Sequence, residues 1–411
     1  MPERQNTKSL RRAYNKALIL NCIRTCGPVS RTQIRTHTRL RMASITELVR
    51  ELVEAGLVIE AGMNGAGRGR KQVLLRVNAG HGLAVGVEFD ADHVIALIAD
   101  LDMAVVARHI VEFPLGQDKD AILAKLIEGV RDVILSAGID RARLIGIGIA
   151  DPGLVDRERG VSVLSSTIEG WRSVPLREIF EQEFSVPVQM EENTRTKTLA
   201  EKRFGAGRGV GHLMFIDFGP GIGCGVATPN GLFRGSGGNA GELGHTHVMD
   251  GGPVCRCGSY GCLETVASLP AIARRATEAI GQGAASSIRD LAGGDPAAIT
   301  ADHVFEAARR GDKLALGILD ETSRYLGMGI ANAVNLFNPE MVVFDARLAP
   351  VQDLLFEAIE NTVKRQALEA STRGLRFAVS ELGQEAGALG AAAMVLDSVF
   401  EIPQLDIPDF V

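Results

Sequence analysis

No segment of this chain runs through the roughly 18 apolar residues that a membrane-spanning helix requires, and this excludes a helical integral membrane protein. The opening residues, MPERQNTKSLRR, also lack the apolar stretch of a signal peptide. The expected location is therefore cytoplasmic, with no membrane partner. Cysteine is sparse, 6 in 411 residues. In a reducing compartment, thiols gathered in one place are more often a metal site than a disulfide framework. What remains is the composition of an ordinary globular protein, 46% hydrophobic and 23% charged, long enough for two or three domains.

Acidic residues are nearly missing from the head of the chain. Residues 1–80 carry 15 Lys+Arg against 5 Asp+Glu, net +10, whereas the remainder carries 29 against 45, net −16. A basic head on an acidic body is the charge footprint of a nucleic-acid-binding domain joined to something else.

The pattern of the head agrees with that footprint. A helix is expected from Thr7 to Thr25, with Leu18, Ile19, Cys22 and Ile23 facing inward and Gly27-Pro28 stopping it. Cys22 and Cys26 have no neighbouring ligand and read as core thiols. Ser30-Arg31-Thr32-Gln33 is a capping box that opens a second helix. A third helix runs from about Arg41 to Ala55, its apolar positions Ile45, Leu48, Val49, Leu52 and Val53 following helical spacing. Two strands follow, Leu57 to Ala61 and Gln72 to Val77, joined by a glycine-rich basic loop. Three helices and a basic hairpin describe a winged helix-turn-helix over residues 1–80. Its third helix would enter the major groove of double-stranded DNA. The DNA-contacting residues are expected to be Arg31, Arg41, Met42, Ser44, Thr46 and Arg50, with Arg68, Arg70 and Lys71 on the hairpin loop gripping phosphate or a minor groove. A winged helix used for protein contacts is the competing account, and the net charge of +10 argues against it.

Residues 241–264, GELGHTHVMDGGPVCRCGSYGCLE, hold three of the six cysteines. His245, Cys255, Cys257 and Cys262 offer one imidazole and three thiols, the Cys₃His set of a closed tetrahedral Zn²⁺ site. Ordinary buried thiols are the alternative, but a core does not concentrate cysteines in a glycine-rich loop. Glu242 and Glu264 bracket the cluster, where two carboxylates can hydrogen-bond a polyol.

GELGH, the spacer of 9 residues to CRCG, and GCLE resemble the zinc and sugar signature of the ROK family, which contains bacterial sugar kinases and sugar-responsive transcriptional repressors. The resemblance implies an α/β body of two halves with the duplicated actin/hexokinase-like (ribonuclease H-like) fold. One half would span 81–194, completed by a C-terminal helix at about 384–400, and the other 195–383 with the zinc loop. The order of strands and helices from Leu83 onward agrees with two such rounds. The resemblance further implies that Asn193, Glu242, His245 and Glu264 contact sugar hydroxyls, with His245 serving the metal through its other ring nitrogen.

Against the kinases of that family the cleft is altered at each phosphate-handling position. The first phosphate hairpin, Asp-x-Gly-Gly-Thr in the kinases, is Glu88-Phe89-Asp90-Ala91-Asp92 here. The second loop is Gly219-Pro220-Gly221, the adenosine loop reads Asp345-Ala346-Arg347, and Thr194 replaces the catalytic aspartate. Threonine cannot act as that base at neutral pH, and phosphoryl transfer depends on an intact electrostatic cradle. No catalytic residue is therefore assigned, and neither ATP binding nor turnover is expected. The asparagine expected before Gly170-Trp171 is also missing, with Ser165 and Thr167 nearby. The leading reading is a transcriptional regulator, a repressor of carbohydrate uptake or catabolism genes, that senses a sugar or sugar phosphate and works as a homodimer or dimer of dimers on operator DNA. Two alternatives stay open, a sugar kinase with an appended DNA-binding domain and a DNA binder controlled by a protein partner.

Overall fold

The computed structural model describes residues 7–64, 71–165 and 167–403. The head forms the helices Thr7–Cys26, Arg31–Thr38 and Met42–Glu54. Ser30 starts the second by reciprocal capping: its hydroxyl accepts from the Gln33 amide, and the Gln33 side chain accepts from the Ser30 amide at 2.9 Å. That helix ends on Arg39 at φ 57°, a left-handed position where a side chain is strained and glycine is not. The third helix begins at Arg41 without a side-chain cap and buries Ile45, Leu48, Val49 and Leu52.

The hairpin pairs Val58–Asn64 with Gln72–Val77, and Val29–Ser30 adds a third strand. Its first strand extends past the expected end at Ala61, because Met63 and Asn64 regain pairing with Val73 and Gln72 across a bulge. Cys22 is half-buried, but Cys26 is exposed and not a core thiol. The helix ends at that residue, and the Gly27 amide turns back onto the Ile23 carbonyl at 2.9 Å.

Each half of the body is a five-stranded sheet with the same strand order. In the first, the meander Leu83–Phe89, His93–Asp100 and Val105–Glu112 is extended by Leu144–Asp151, parallel to Leu83–Phe89, and then by Val188–Glu192. In the second, the meander Leu213–Phe218, Ile222–Thr228 and Gly231–Phe233 is extended by Met341–Phe344 and Arg376–Val379 in the same parallel sense. This repetition is the duplicated architecture. A small antiparallel sheet, Leu154–Asp156, Val161–Leu164 and Arg172–Val174, was not anticipated from the sequence.

Nor was the helix Asn193–Arg203, which lies at the seam of the two halves. On one side Thr196 approaches the last helix, Ala386–Asp397, so closely that a Cβ on Gly390 would fall 1.8 Å from the Thr196 carbonyl oxygen. On the other, a Cβ on Gly225 of the second sheet would fall 1.8 Å from Thr198 Oγ1. The helix Ala386–Asp397 covers the first sheet with equal closeness, since a Cβ on Gly148 would fall 2.0 Å from the Ala391 carbonyl oxygen.

The head shares its core with the body. Ile19, Ile23, Ile45, Leu52 and Leu75 belong to one apolar cluster with Ala84, Ile95, Leu97, Ala388, Val395 and Phe400. Polar contacts run alongside: Asn21 Nδ2 donates to the Phe400 carbonyl at 2.6 Å, and Asp397 accepts from Arg24 of the head at 2.6 Å and from Arg203 of the seam helix at 2.8 Å. The connector is pinned as well, with Asn78 Nδ2 donating to the Gly56 carbonyl at 2.8 Å and the Leu101 amide to the Ala79 carbonyl at 3.1 Å.

These contacts set one expectation. Gly148→Ala forces backbone against backbone and is expected to destabilise the protein by at least about 1–3 kcal/mol. Gly317→Ala, on the exposed face of the helix Lys313–Phe337 with nothing within 4 Å, is expected to stabilise by about 0.5–1 kcal/mol. Denaturant unfolding of both variants checks this, and equal midpoints would contradict the packing.

Candidate functional site

The site begins with the loop that follows Ile222–Thr228 and Gly231–Phe233. Gly241, at φ 102°, passes so near the second sheet that a Cβ would fall 1.8 Å from the Cys224 carbonyl oxygen. A single 3₁₀ turn, Leu243–His245, then presents His245. The chain returns through Cys255 and Cys257 and is tied down where the Val248 amide meets the Gly261 carbonyl at 2.9 Å and the Leu263 amide meets the Thr246 carbonyl at 2.9 Å. Gly258 and Gly261, at φ 90° and 64°, make the turns between the thiols.

One ligand atom from each of His245, Cys255, Cys257 and Cys262 falls within 4.8 Å of all the others. Zinc bonds of about 2.3 Å to sulfur and about 2.0 Å to nitrogen imply tetrahedral edges of about 3.8 Å between sulfurs and about 3.5 Å between sulfur and nitrogen. Cys257 Sγ and Cys262 Sγ are 3.8 Å apart, and Cys255 Sγ and His245 Nδ1 are 3.6 Å apart. The four side chains thus have the spacing a tetrahedral ion needs. Burial and the neighbouring Glu264 carboxylate push the Cys255 thiol up to about 12, and it donates to Glu264 Oε1 at 3.1 Å. A metal must displace that proton to bind.

The two rim carboxylates meet the same histidine from opposite sides. Glu264 Oε1 is 3.6 Å from Nδ1, and Glu242 Oε2 is 3.9 Å from Nε2. With Nδ1 turned to the thiols, Nε2 faces Glu242 and open space. Asn193 starts the seam helix and Thr194 follows it, the Thr194 hydroxyl donating to Asp217 Oδ2 at 3.2 Å. Beneath, the buried Glu191 is met by three guanidiniums, Arg195 at 2.9 Å, Arg234 at 2.7 Å and Arg157 at 3.2 Å. Against the effect of burial, these hold its carboxyl below the ordinary range. Arg195 also donates to the Ala240 carbonyl at 3.1 Å, fixing the approach to Glu242. Asp151 is fully buried, its Oδ1 accepting from the Gly153 amide at 2.8 Å while Oδ2 has no hydrogen-bond partner among the described residues, and burial pushes it up to about 7.

The other side of the cleft, lined by the Glu88–Asp92 hairpin and Asp345, carries clustered protein charge. Asp90 Oδ1 accepts from its own hairpin at the Ala91 amide, 2.7 Å, and from Thr167 Oγ1, 2.6 Å. Lys197, buried on the seam helix, faces Glu88, Asp217 and Asp345 together. Arg347 adds a second cation, 3.8 Å from Asp217. The sequence reading missed Lys197 and its helix. The available signal was a set of acids at the mouth of a cleft with no cation assigned to balance them.

On the head, Arg41, Thr46, Arg50 and Lys71 are exposed, while Arg31, Met42 and Ser44 are half-buried. Arg50 pairs with Glu54 at 3.6 Å, and Thr46 Oγ1 donates back to the Met42 carbonyl at 2.9 Å. Arg68 and Arg70 lie outside the described residues. Among those described, no helix is long and apolar enough to cross a membrane.

Comparison with known proteins places this geometry. The chain is 31% identical over 396 residues to the xylose repressor of Caldicellulosiruptor bescii, covering 96% of this chain and 98% of the relative. It is 31% identical over 387 residues to the DNA-binding transcriptional repressor Mlc of Escherichia coli, covering 94% and 93%. Among solved structures, a ROK family transcriptional regulator homologous to the E. coli Mlc protein matches with a TM-score of 0.83 at 29% identity, covering 95% of this chain and 97% of that one. A ROK family glucokinase from Streptomyces griseus, in complex with glucose and AMPPNP, matches with a TM-score of 0.68 at 29% identity over 76% of this chain and 99% of that one. The kinase likeness thus stops short of the whole chain, whereas the regulator likeness nearly spans it. Together with the profile of the ROK family, which matches residues 84–398, these likenesses show that the chain belongs to the ROK family.

Proposed function

We propose that this protein is a carbohydrate-responsive transcriptional repressor without kinase activity. The observation that carries the reading is the division of the cleft: Glu242 and Glu264 flank His245 on one side, while on the other Glu88, Asp217 and Asp345 are paired with Lys197 where phosphoryl transfer would need a free base and a cradle for phosphate. Repressor names among relatives of nearly full length support the same direction. The metal is Zn²⁺, held by His245, Cys255, Cys257 and Cys262, and its role is to fix the loop that carries Glu242 and His245. The head reads operator DNA through Arg31, Arg41, Met42, Ser44, Thr46, Arg50 and Lys71, together with Arg68 and Arg70, which lie outside the described residues. The working unit is a homodimer or a dimer of dimers, because palindromic operators match a twofold axis.

Elemental analysis is expected to find one zinc per chain, absent from Cys257→Ser. Cys257 is exposed, so the variant loses a ligand without opening a core. Its unfolding midpoint should fall and should no longer respond to chelator, since zinc binding contributes to folding. Stoichiometric zinc in the variant would reject this ligand set.

Calorimetry with ATP and Mg²⁺ is expected to give no binding heat, and no sugar is phosphorylated above background. Thr194→Asp restores neither, because Lys197 still pairs with the carboxylates of the cleft. Turnover in that variant would show that the base alone was missing.

Sugar and operator binding are expected to oppose each other reciprocally, by about 5–150-fold. Glu242→Ala should abolish the response by removing sugar affinity. Asp397→Asn should keep both affinities and reduce their coupling, because Asp397 ties Arg203 of the seam helix to Arg24 of the head. Operator titrations with and without sugar in the three proteins test this. Unchanged operator affinity with sugar bound to the wild type contradicts the repressor mechanism.

A further inference from the structure

Lys197 lies on the second turn of the seam helix with its side chain 6% exposed. Its Nζ is 3.0 Å from Asp217 Oδ2, 3.2 Å from Asp217 Oδ1, 3.4 Å from Glu88 Oε1 and 3.7 Å from Asp345 Oδ2. Glu88 comes from the first sheet, Asp217 from the second, and Asp345 from the end of a strand of the second. An ammonium has three N–H donors and no acceptor, and here three carboxylates meet it.

Three convergent carboxylates are the donor set that hard divalent cations take, completed elsewhere by water. Two further features fit such an ion better than they fit an ammonium. Glu88, only 3% exposed, has an Oε2 with no hydrogen-bond partner among the described residues, so the carboxylate is not saturated by the lysine. A cavity of about 410 Å³ opens beside the cluster, lined by Glu88, Asp92, His93, Lys197, Asp345 and Arg347, with room for the waters an ion keeps.

We propose that Lys197 is a resident cation: its ammonium occupies a divalent-cation site built from Glu88, Asp217 and Asp345, so that the cleft takes neither a metal ion nor a metal nucleotide, and an uncharged side chain at position 197 turns it into a Mg²⁺ or Ca²⁺ site. The ionisation of the carboxylates agrees. Although burial works against it, Lys197 and Arg347 hold Asp217 down to about 2. Asp345 is raised by burial to about 6, leaving both charged at neutral pH. The thiol-rich loop does not compete for such ions, because Mg²⁺ and Ca²⁺ prefer oxygen.

The test is thermal unfolding and calorimetry of the full chain with MgCl₂ or CaCl₂ against NaCl at equal ionic strength. The wild type is expected to show no specific response. Lys197→Met is expected to unfold at a lower temperature, and saturating Ca²⁺ or Mg²⁺ should recover several degrees with a single binding event. The variant Lys197→Met with Glu88→Gln and Asp345→Asn should fold without the ion and ignore it. A Lys197→Met protein that neither ion stabilises, folded or not, overturns the proposal. So does a wild type that binds the ions equally well, or a triple variant that fails to fold, which would mean that the lysine acts through packing.

Discussion

The structure depends on a polar helix that has no exposed face to spare. Along Asn193–Arg203, Thr194, Arg195, Thr196, Lys197, Thr198 and Glu201 are all buried, and a buried polar group is tolerable only when paired. Each charged group has found partners: Arg195 meets Glu191, Lys197 meets carboxylates of both sheets, and Glu201 accepts from Ser380. Removing one member of such a buried pair costs about 3–5 kcal/mol, more than the roughly 1–3 kcal/mol of a typical allosteric coupling. Any change in closure that a sugar induces must therefore leave these bonds intact.

That constraint gives the helix a mechanical role. Its first residue, Asn193, is one of the proposed sugar contacts, and its last, Arg203, reaches Asp397, which Arg24 of the head also holds. Eleven residues of helix span about 16 Å, so one rigid element covers the distance from pocket to head contact. The head is not tethered by a loose linker. Its apolar core runs on into Ala84, Leu97, Ala388 and Phe400, and Arg24 lies over the Phe400 ring at 4.1 Å. Movement of the first half therefore carries the head with it.

The sequence displayed those parts of the fold whose signals are local. Helical spacing of Ile45, Leu48, Val49 and Leu52 and the Ser30–Gln33 capping box located the helices of the head. Continuous apolar runs located the central strands, and one histidine with three cysteines at close spacing located a loop whose side chains could hold a metal ion. The seam helix stayed hidden because NTRTKTLAEKR has no apolar stripe: its burial comes from partners contributed by both sheets, which periodicity cannot register. Cys26 was misplaced for a related reason. Spacing four from Cys22 puts it on the same face of the helix, but a helix end projects beyond the core that covers the earlier turns. Residues such as Glu191, with three arginines drawn from the seam helix and two loops, are legible only after the fold has brought them together.

The altered phosphate positions also look different in three dimensions. As sequence, Glu88, Asp90, Asp345 and Thr194 are separate departures from a kinase pattern. In space, Glu88 and Asp345 converge with Asp217 on one ammonium, and Thr194 donates to Asp217 at 3.2 Å from the same helix that carries Lys197. A cleft whose acids are balanced only when a metal nucleotide is bound carries uncompensated charge when empty. A lysine one helical turn from Thr194, with Arg347 beside Asp217 and Asp345, offsets part of that charge permanently, so the acids have cationic partners whether or not any ligand is present.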